Sequence, residues 1–351
     1  MYCHDFRQYD KKSYFTNWIS LKTHQLLKGT TMYEIIRTFS PIFRGLNFEN
    51  PRAAAIYYVS LIINFPTNLQ GILNEAQAIY GTDINRQALY AGRKELQRHG
   101  IIGRTYFTED SDVDFDRETY LPANPEIIWE ENRDKVNTYW KPPDEMAFRK
   151  AKVKELYQHY LRNFKKYGIG IETGSITGLF NIYWMWRTGI NILKYAKKFD
   201  LITNSLEMYI IPDYLEHISE MFSRGLTERI IFDENINVLF DKNTKRKILK
   251  DEESALRKYE PIITERLNKY RKINEDFPGQ LDVRFTPVTY ITSRRSILYD
   301  ENGPFWACDF RRLLSHDPKE PPYYLGTIYL QDDLIDHIRA NFEAAWENSV
   351  A

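Results

Sequence analysis

Cysteine is almost missing from this sequence: Cys3 and Cys308 stand near opposite ends of 351 residues. Two distant thiols can neither staple a fold nor complete a zinc cluster, so a disulfide scaffold is excluded and a reducing cytoplasm is the expected compartment. Long apolar runs are missing as well. The most apolar later stretch, ITGLFNIYWMW at 176–186, stops at Arg187, well short of the roughly 20 residues a membrane span needs. The opening MYCHDFRQYDKKSYF lacks the apolar centre of a signal peptide. No membrane partner is expected. Net charge of one sign is absent too, with 48 Lys plus Arg against 48 Asp plus Glu. Any surface for nucleic acid must therefore be a local patch.

Signatures of catalysis and metal binding are also lacking. None of His4, His24, His99, His159, His217, His316 and His337 sits in a His-Glu-x-x-His pair, and neither Cys-x-x-Cys nor Gly-x-Ser-x-Gly occurs. The aspartates at 110, 112, 114 and 116 alternate as in a calcium loop. Phe115 stands where that loop needs glycine, however, and Leu121 where it needs glutamate. No catalytic residue, metal or cofactor is assigned, and the chain is read as a binding protein and not an enzyme.

What is present is a globular composition, 43% hydrophobic and 27% charged, long enough for two cores. The organising stretch is 82–102, TDINRQALYAGRKELQRHGII. It reads as a helix capped by Thr82 or Asp83, with Ile84, Ala88, Ala91, Leu96 and Ile101–Ile102 inward and Gly100 as a left-handed stop. Asn85, Arg86, Gln87, Tyr90, Arg93, Lys94 and Arg98 project outward. Side chains of these types reach phosphates and base edges in a DNA groove. Arg86, Gln87 and Tyr90 are expected to face bases. Arg93, Lys94, Arg98 and Arg104 are expected to hold phosphates.

Before that helix, Met32 to Leu46 are helically spaced, with Pro41 expected to bend or split the element. Asn50 and Pro51 start a second helix to about Phe65, and a third runs over 68–80. After it, IIGRTYF (101–107) and ETYLPANP (118–125) read as paired strands. Three helices followed by a hairpin is the order of a winged helix–turn–helix. The hairpin tip, TEDSDVDFDR, is acidic and is expected to turn away from DNA.

Met146, Val153, Tyr160 and Tyr167 recur every seven residues, so this helix is expected to pack on a partner helix and support a homodimer. From Gly168 the pattern changes to strands alternating with helices, an α/β arrangement. There GSITG (174–178) reads as a turn in which Gly174, Ser175 and Thr177 are weak candidates for seating an anion at a helix start. The expected fold class is α+β and multidomain. It comprises an arm over 1–31, a winged helix–turn–helix domain over 32–130, a helical linker over 131–167 that carries the dimer seam, and an α/β domain over 168–351.

With both halves laid out, the chain resembles archaeal TrmB-type transcriptional regulators. NPRAAAIYYVSLIINFP, INRQALYAGRKELQRHGII and ETYLPANP carry the resemblance in the front half. LEMYIIPDYLEHISEMFSRGLTERIIFDE and IYLQDDLIDHIRANFEAAW carry it behind. It covers roughly residues 32–346. The resemblance implies a coiled-coil linker, a phospholipase D-like C-terminal domain, double-stranded DNA as partner and a small-molecule effector, often a sugar, in the C-terminal domain. Phospholipase D chemistry requires His-x-Lys-x4-Asp, and no histidine here begins that pattern: His316 opens HDPK and His337 opens HIR. The phospholipase D-like domain is thus expected without its catalysis. The function expected is a sequence-specific regulator of transcription. The alternative is a protein–protein adaptor that uses the winged helix to bind transcription or replication machinery.

Overall fold

A computed structural model describes residues 32–65, 67, 69–80, 84–106, 119–136, 143–164, 175–203, 214–233, 268, 271–286, 294–313 and 323–350. The expected arm over 1–31, the acidic tip, Gly174 and Tyr167 lie outside these residues.

The front of the molecule is helical. Helix α1 (residues 32–45) runs through Pro41 without a break. The ring deletes one hydrogen-bond donor, yet apolar packing keeps the element together, because Ile35, Ile36, Phe39, Ile42 and Phe43 are all buried. Helix α2 (Pro51–Ile63) is its centre, with ten of thirteen residues buried. Pro51 occupies the first turn as expected, but Asn50 makes no side-chain cap bond. The Tyr58 hydroxyl, buried beneath α1, donates to Ala123 O at 2.7 Å. Helices α3 (Leu69–Tyr80) and α4 (Arg86–Arg98) follow. Strands β1 (Ile102–Tyr106) and β2 (Thr119–Pro122) then form the expected antiparallel hairpin. Helices α5 (Pro125–Val136) and α6 (Pro143–Asn163) complete this part.

The α6 seam does not face a second copy. Val153, Leu156, Tyr160 and Phe164 are at most 3% exposed within the single chain. They belong to one core with α2, and the Asn163 amide donates to Ile62 O at 2.6 Å. The expected coiled-coil linker is corrected on this point. Aromatic side chains at three- and four-residue intervals make a stripe broad enough to bury against the chain's own helices, which a two-stranded seam does not need.

The rear is a mixed sheet. After β3 (Ser175–Asn181) and α7 (Ile182–Leu193) come β4 (Lys198–Thr203), α8 (Tyr214–Ser223) and β5 (Thr227–Asp233). A helical segment over 271–276 leads to β6 (Leu281–Thr286), β7 (Arg294–Asp300), β8 (Gly303–Leu313), β9 (Tyr323–Tyr329) and the closing helix α9 (Asp332–Glu347). The strand order is β2-β1-β3-β9-β8-β7-β4-β5-β6. Only β4–β5 and β5–β6 are parallel pairs. The hairpin of the front half is therefore continuous with the rear sheet, since Arg104, Thr105 and Tyr106 of β1 pair antiparallel with Leu179, Gly178 and Thr177 of β3.

Helices cover both faces. Trp184, Trp186 and Ile192 of α7 and Ile218 and Phe222 of α8 join the core that extends from the front. On the opposite face Ile335, Ile338, Phe342 and Trp346 of α9 pack on Ile202, Ile231, Ile297 and Ala307. A charge cluster around buried Asp200 pins α9 there. Arg229 donates to both oxygens of Asp200, at 2.8 and 2.7 Å, and to both of Glu343, at 3.1 and 2.7 Å. Its guanidinium also lies over the Phe342 and Trp346 rings. Asp200 is fully buried, so this fork-to-fork pairing is what makes its charge tolerable inside the protein.

Candidate nucleic-acid interface

Helix α4 starts one turn later than the expected cap. Asn85, in extended conformation, accepts from Ala88 N at 2.8 Å and so serves as the N-cap. Asn85, expected to project outward, is exposed and caps the helix with its side-chain oxygen. The inward side is Leu89, Gly92 and Leu96. Gly92 is the contact point with α2: a Cβ there would sit 2.7 Å from Ala54 N and 2.9 Å from Ala54 Cα. The two helices thus meet backbone to backbone, and α4 lies flat against the core with its other face free.

That other face carries the sequence-derived stripe. Arg86, Gln87, Tyr90, Lys94 and Arg98 are all exposed. Gln87 to Arg98 spans about 16 Å along the axis at the helical rise. Arg86, Lys94 and Arg98 form no ion pair with any carboxylate among the described residues. The single acid of the helix, Glu95, is occupied elsewhere and accepts from Glu49 N at 2.8 Å. Tyr90 is the platform of the group, with the Lys94 ammonium 4.8 Å and the Arg93 guanidinium 4.5 Å from its ring.

Arg93 is half-buried and also lies 5.0 Å from the Tyr120 ring of β2. It ties the helix to the hairpin through cation–π contact. Arg104 lies on β1, flanked by β2 and β3, and is half-buried. Arg93 thus contacts the hairpin as well as its own helix, and Arg104 stands at the root of the hairpin. Burial of this kind leaves no signal in a helical wheel, because Tyr120 and β3 are distant in sequence.

The end of α4 is built with more care than the sequence suggested. Gly100, at φ +62°, closes a Schellman turn: Ile101 N donates to Leu96 O at 2.8 Å and Gly100 N to Gln97 O at 3.0 Å. Asn181, at the end of β3, donates its amide to Gln97 O at 2.6 Å and Arg98 O at 3.0 Å. The same side chain accepts from Trp184 N at 2.9 Å and caps α7. Arg187 of α7 donates to His99 O at 2.6 Å and Gly100 O at 2.8 Å. Its remaining donors meet Glu131 of α5, with the closest oxygen at 2.8 Å. All four of these carbonyls therefore have donors from the rear half. A cation and the start of another helix both sit at the electronegative end of α4, where they are stabilising.

His99 lies inside this joint. Burial first, then the positive charges of Arg98, Arg187 and Lys135, push its pKa down from the ordinary 6.5 to about 4. Asn181, Trp184 and Arg187 were not among the expected site residues. The signal that could have found the first is its position as a capping residue directly before an apolar helical run.

The anion-seating turn is corrected. Ser175 and Thr177 are not in a turn but in β3, paired in register with Tyr329 and Thr327 of β9. The Thr177 and Thr327 hydroxyls are 3.0 Å apart. Backbone amides committed to a sheet cannot cradle an anion. Among the described residues no His, Cys, Asp and Glu group has the arrangement of a metal site, and no helix is long and apolar enough to cross a membrane.

The class defined by this geometry is a mixed α/β protein in which a helical front and an edge hairpin are joined through one sheet. No protein-family model matches the chain, and no curated protein matches it. Among solved structures it is similar to TrmBL2, described as an archaeal chromatin protein with a novel mode of DNA binding. That match has 14% identity and a TM-score of 0.31, covering 85% of this chain and 94% of that one. It is also similar to Nuc from Salmonella typhimurium, a phospholipase D family member. There the identity is 12% and the TM-score 0.28, over 46% of this chain and 86% of the other. A third similarity is to NucT from Helicobacter pylori, with 14% identity and a TM-score of 0.30, over 50% and 99% of the two chains.

Proposed function

We propose that the chain is a sequence-specific, double-stranded-DNA-binding regulator of transcription, a binding protein and not a hydrolase, that reads the duplex with the exposed face of α4. One observation carries this reading. Three cations, an amide and a tyrosine lie exposed along one face of a single helix, without internal ion pairs among the described residues, in a chain of zero net charge. A local cationic ridge on a rigid rod fits the major groove, where an arginine or an amide makes bidentate contacts to base edges and lysines contact phosphates.

Arg86, Gln87 and Tyr90, nearest the start of α4, take the base edges in this reading, and Lys94 and Arg98 the phosphates. The α6 seam is consumed within the chain, so a second copy over a second half-site has to come through another surface.

The test is fluorescence anisotropy on pooled duplex fragments over a range of salt. Gln87→Ala is expected to reduce discrimination between sites. Lys94→Ala is expected to weaken binding to every duplex and to lower the slope of log affinity against log salt by about 1. If wild-type protein shows no salt-dependent binding to any fragment, the reading fails, and an adaptor role for the same face takes its place. Sedimentation on a bound duplex counts the copies.

A further inference from the structure

Beneath α7, on the side of the sheet that faces it, is a cavity of about 50 Å³, walled by Trp184, Trp186, Phe199, Leu298 and Trp306 and containing the side chain of Arg294. Arg294 is only 9% exposed, and its side chain makes no hydrogen bond or ion pair with any described residue. The Trp306 indole nitrogen in the same wall is also buried without an acceptor. A mostly buried guanidinium with no bonded carboxylate is costly, and buried charges are normally paired.

The carboxyl that senses Arg294 does not meet that need. Glu228 of β5 is 1% exposed, and neither of its oxygens has a donor. Burial raises its carboxyl to about 8 despite the favourable charge of Arg294, which favours the protonated form. The site therefore holds an excess of donors and one positive charge inside an apolar wall.

We propose that this cavity is a binding site for a small monocarboxylate with a short apolar body, held by Arg294. A planar guanidinium matches the two oxygens of a carboxylate in a fork. The apolar walls suit a hydrocarbon tail. With one cation among the described residues that line it, a dianion would keep a charge unpaired. The cavity has room for about four water-sized spheres, which sets the ligand at about four to six non-hydrogen atoms. The proposal is independent of whether α4 binds DNA.

Tryptophan fluorescence tests it, because three indoles line the cavity. Full-length protein is titrated with isobutyrate at fixed ionic strength and, separately, with isobutyramide and inorganic phosphate. The expected result is a saturable change with isobutyrate and binding at least about tenfold weaker for the amide and for phosphate, the value of a charge-assisted hydrogen bond. Arg294→Met is expected to erase the preference for the carboxylate. Absence of a saturable change with isobutyrate, equal binding of isobutyrate and its amide, or an undiminished preference in the variant overturns the proposal. If the variant does not fold, the contrast between carboxylate and amide in the wild-type protein decides alone.

Discussion

Arg187 serves three partners from one buried position: two carbonyls at the end of α4 and a carboxylate on α5. Replacing it with methionine keeps the packing volume but leaves those acceptors without donors. Arg187→Met is expected to destabilise the protein by about 2–4 kcal/mol, since deleting one partner of a buried pair strands the other. Urea unfolding at neutral pH measures this. A loss below about 0.5 kcal/mol would mean that water replaces the guanidinium without cost.

His99 gives the same joint a pH dependence. Its folded pKa of about 4 lies below the ordinary 6.5. Between those values the unfolded chain binds a proton that the folded protein refuses, so stability falls as pH falls from 6.5 to 4. Above that window the residue is neutral in both states and contributes no slope. Carboxylates titrate at the lower end of the same range, so the readout is the comparison with His99→Gln. The variant is expected to show a shallower fall in melting temperature between pH 6.5 and 4.5. At this scale the sequence was legible where a residue acts on its own helix. Arg86, Gln87, Tyr90, Lys94 and Arg98 are exposed as the helical period predicts. It was silent where the partner is distant, as for Arg93 against Tyr120 and Arg187 against Gly100.

Among elements, the crossing of α2 and α4 is set by Gly92, whose missing side chain allows the backbones to touch. Gly92→Ala improves helix propensity by about 1 kcal/mol, but it forces a methyl into Ala54. Overpacking wins, and a net destabilisation of about 1–2 kcal/mol is expected. Chemical denaturation checks the sign, and a stabilised variant would show that the helices slide apart freely.

Elements with a strong period were readable from sequence: α4, the hairpin strands, and α9. Those that were not have physical reasons. Strand β4 (KFDLIT) follows α7 after a short turn without glycine or proline, so the apolar pattern runs on as if helical. Strand β3 hides in a run rich in Gly, Ser and Thr, residues that locally favour turns. Pairing with β9 along its whole length overrides that preference. Strand β8, buried in the middle of the sheet, shows too little alternation to stand out from the loops around it.

At the scale of the whole molecule, the expected boundary between a winged helix and a separate rear domain crosses a continuous hydrogen-bonded ladder. Strand β1 is an interior strand, paired on both sides, and the Trp184 indole donates to Leu121 O at 3.0 Å from across the joint. A fragment ending after residue 136 would expose the β3-facing edge of β1 and the apolar surface under α7. It is expected to be aggregation-prone or to lack a cooperative transition, as size-exclusion chromatography and thermal melting would report. A soluble fragment with a sharp melt would restore the two-domain view. Nothing in the sequence marks this join, because a pairing between residues some seventy positions apart leaves no local trace.

That shared ladder has a further consequence for assembly. Strand, cap and guanidinium all cross the same junction, so among the described residues α4 is bonded directly to the rear sheet and to α7. Two copies docking through their rear surfaces would therefore set the mutual tilt of their α4 helices through that docking.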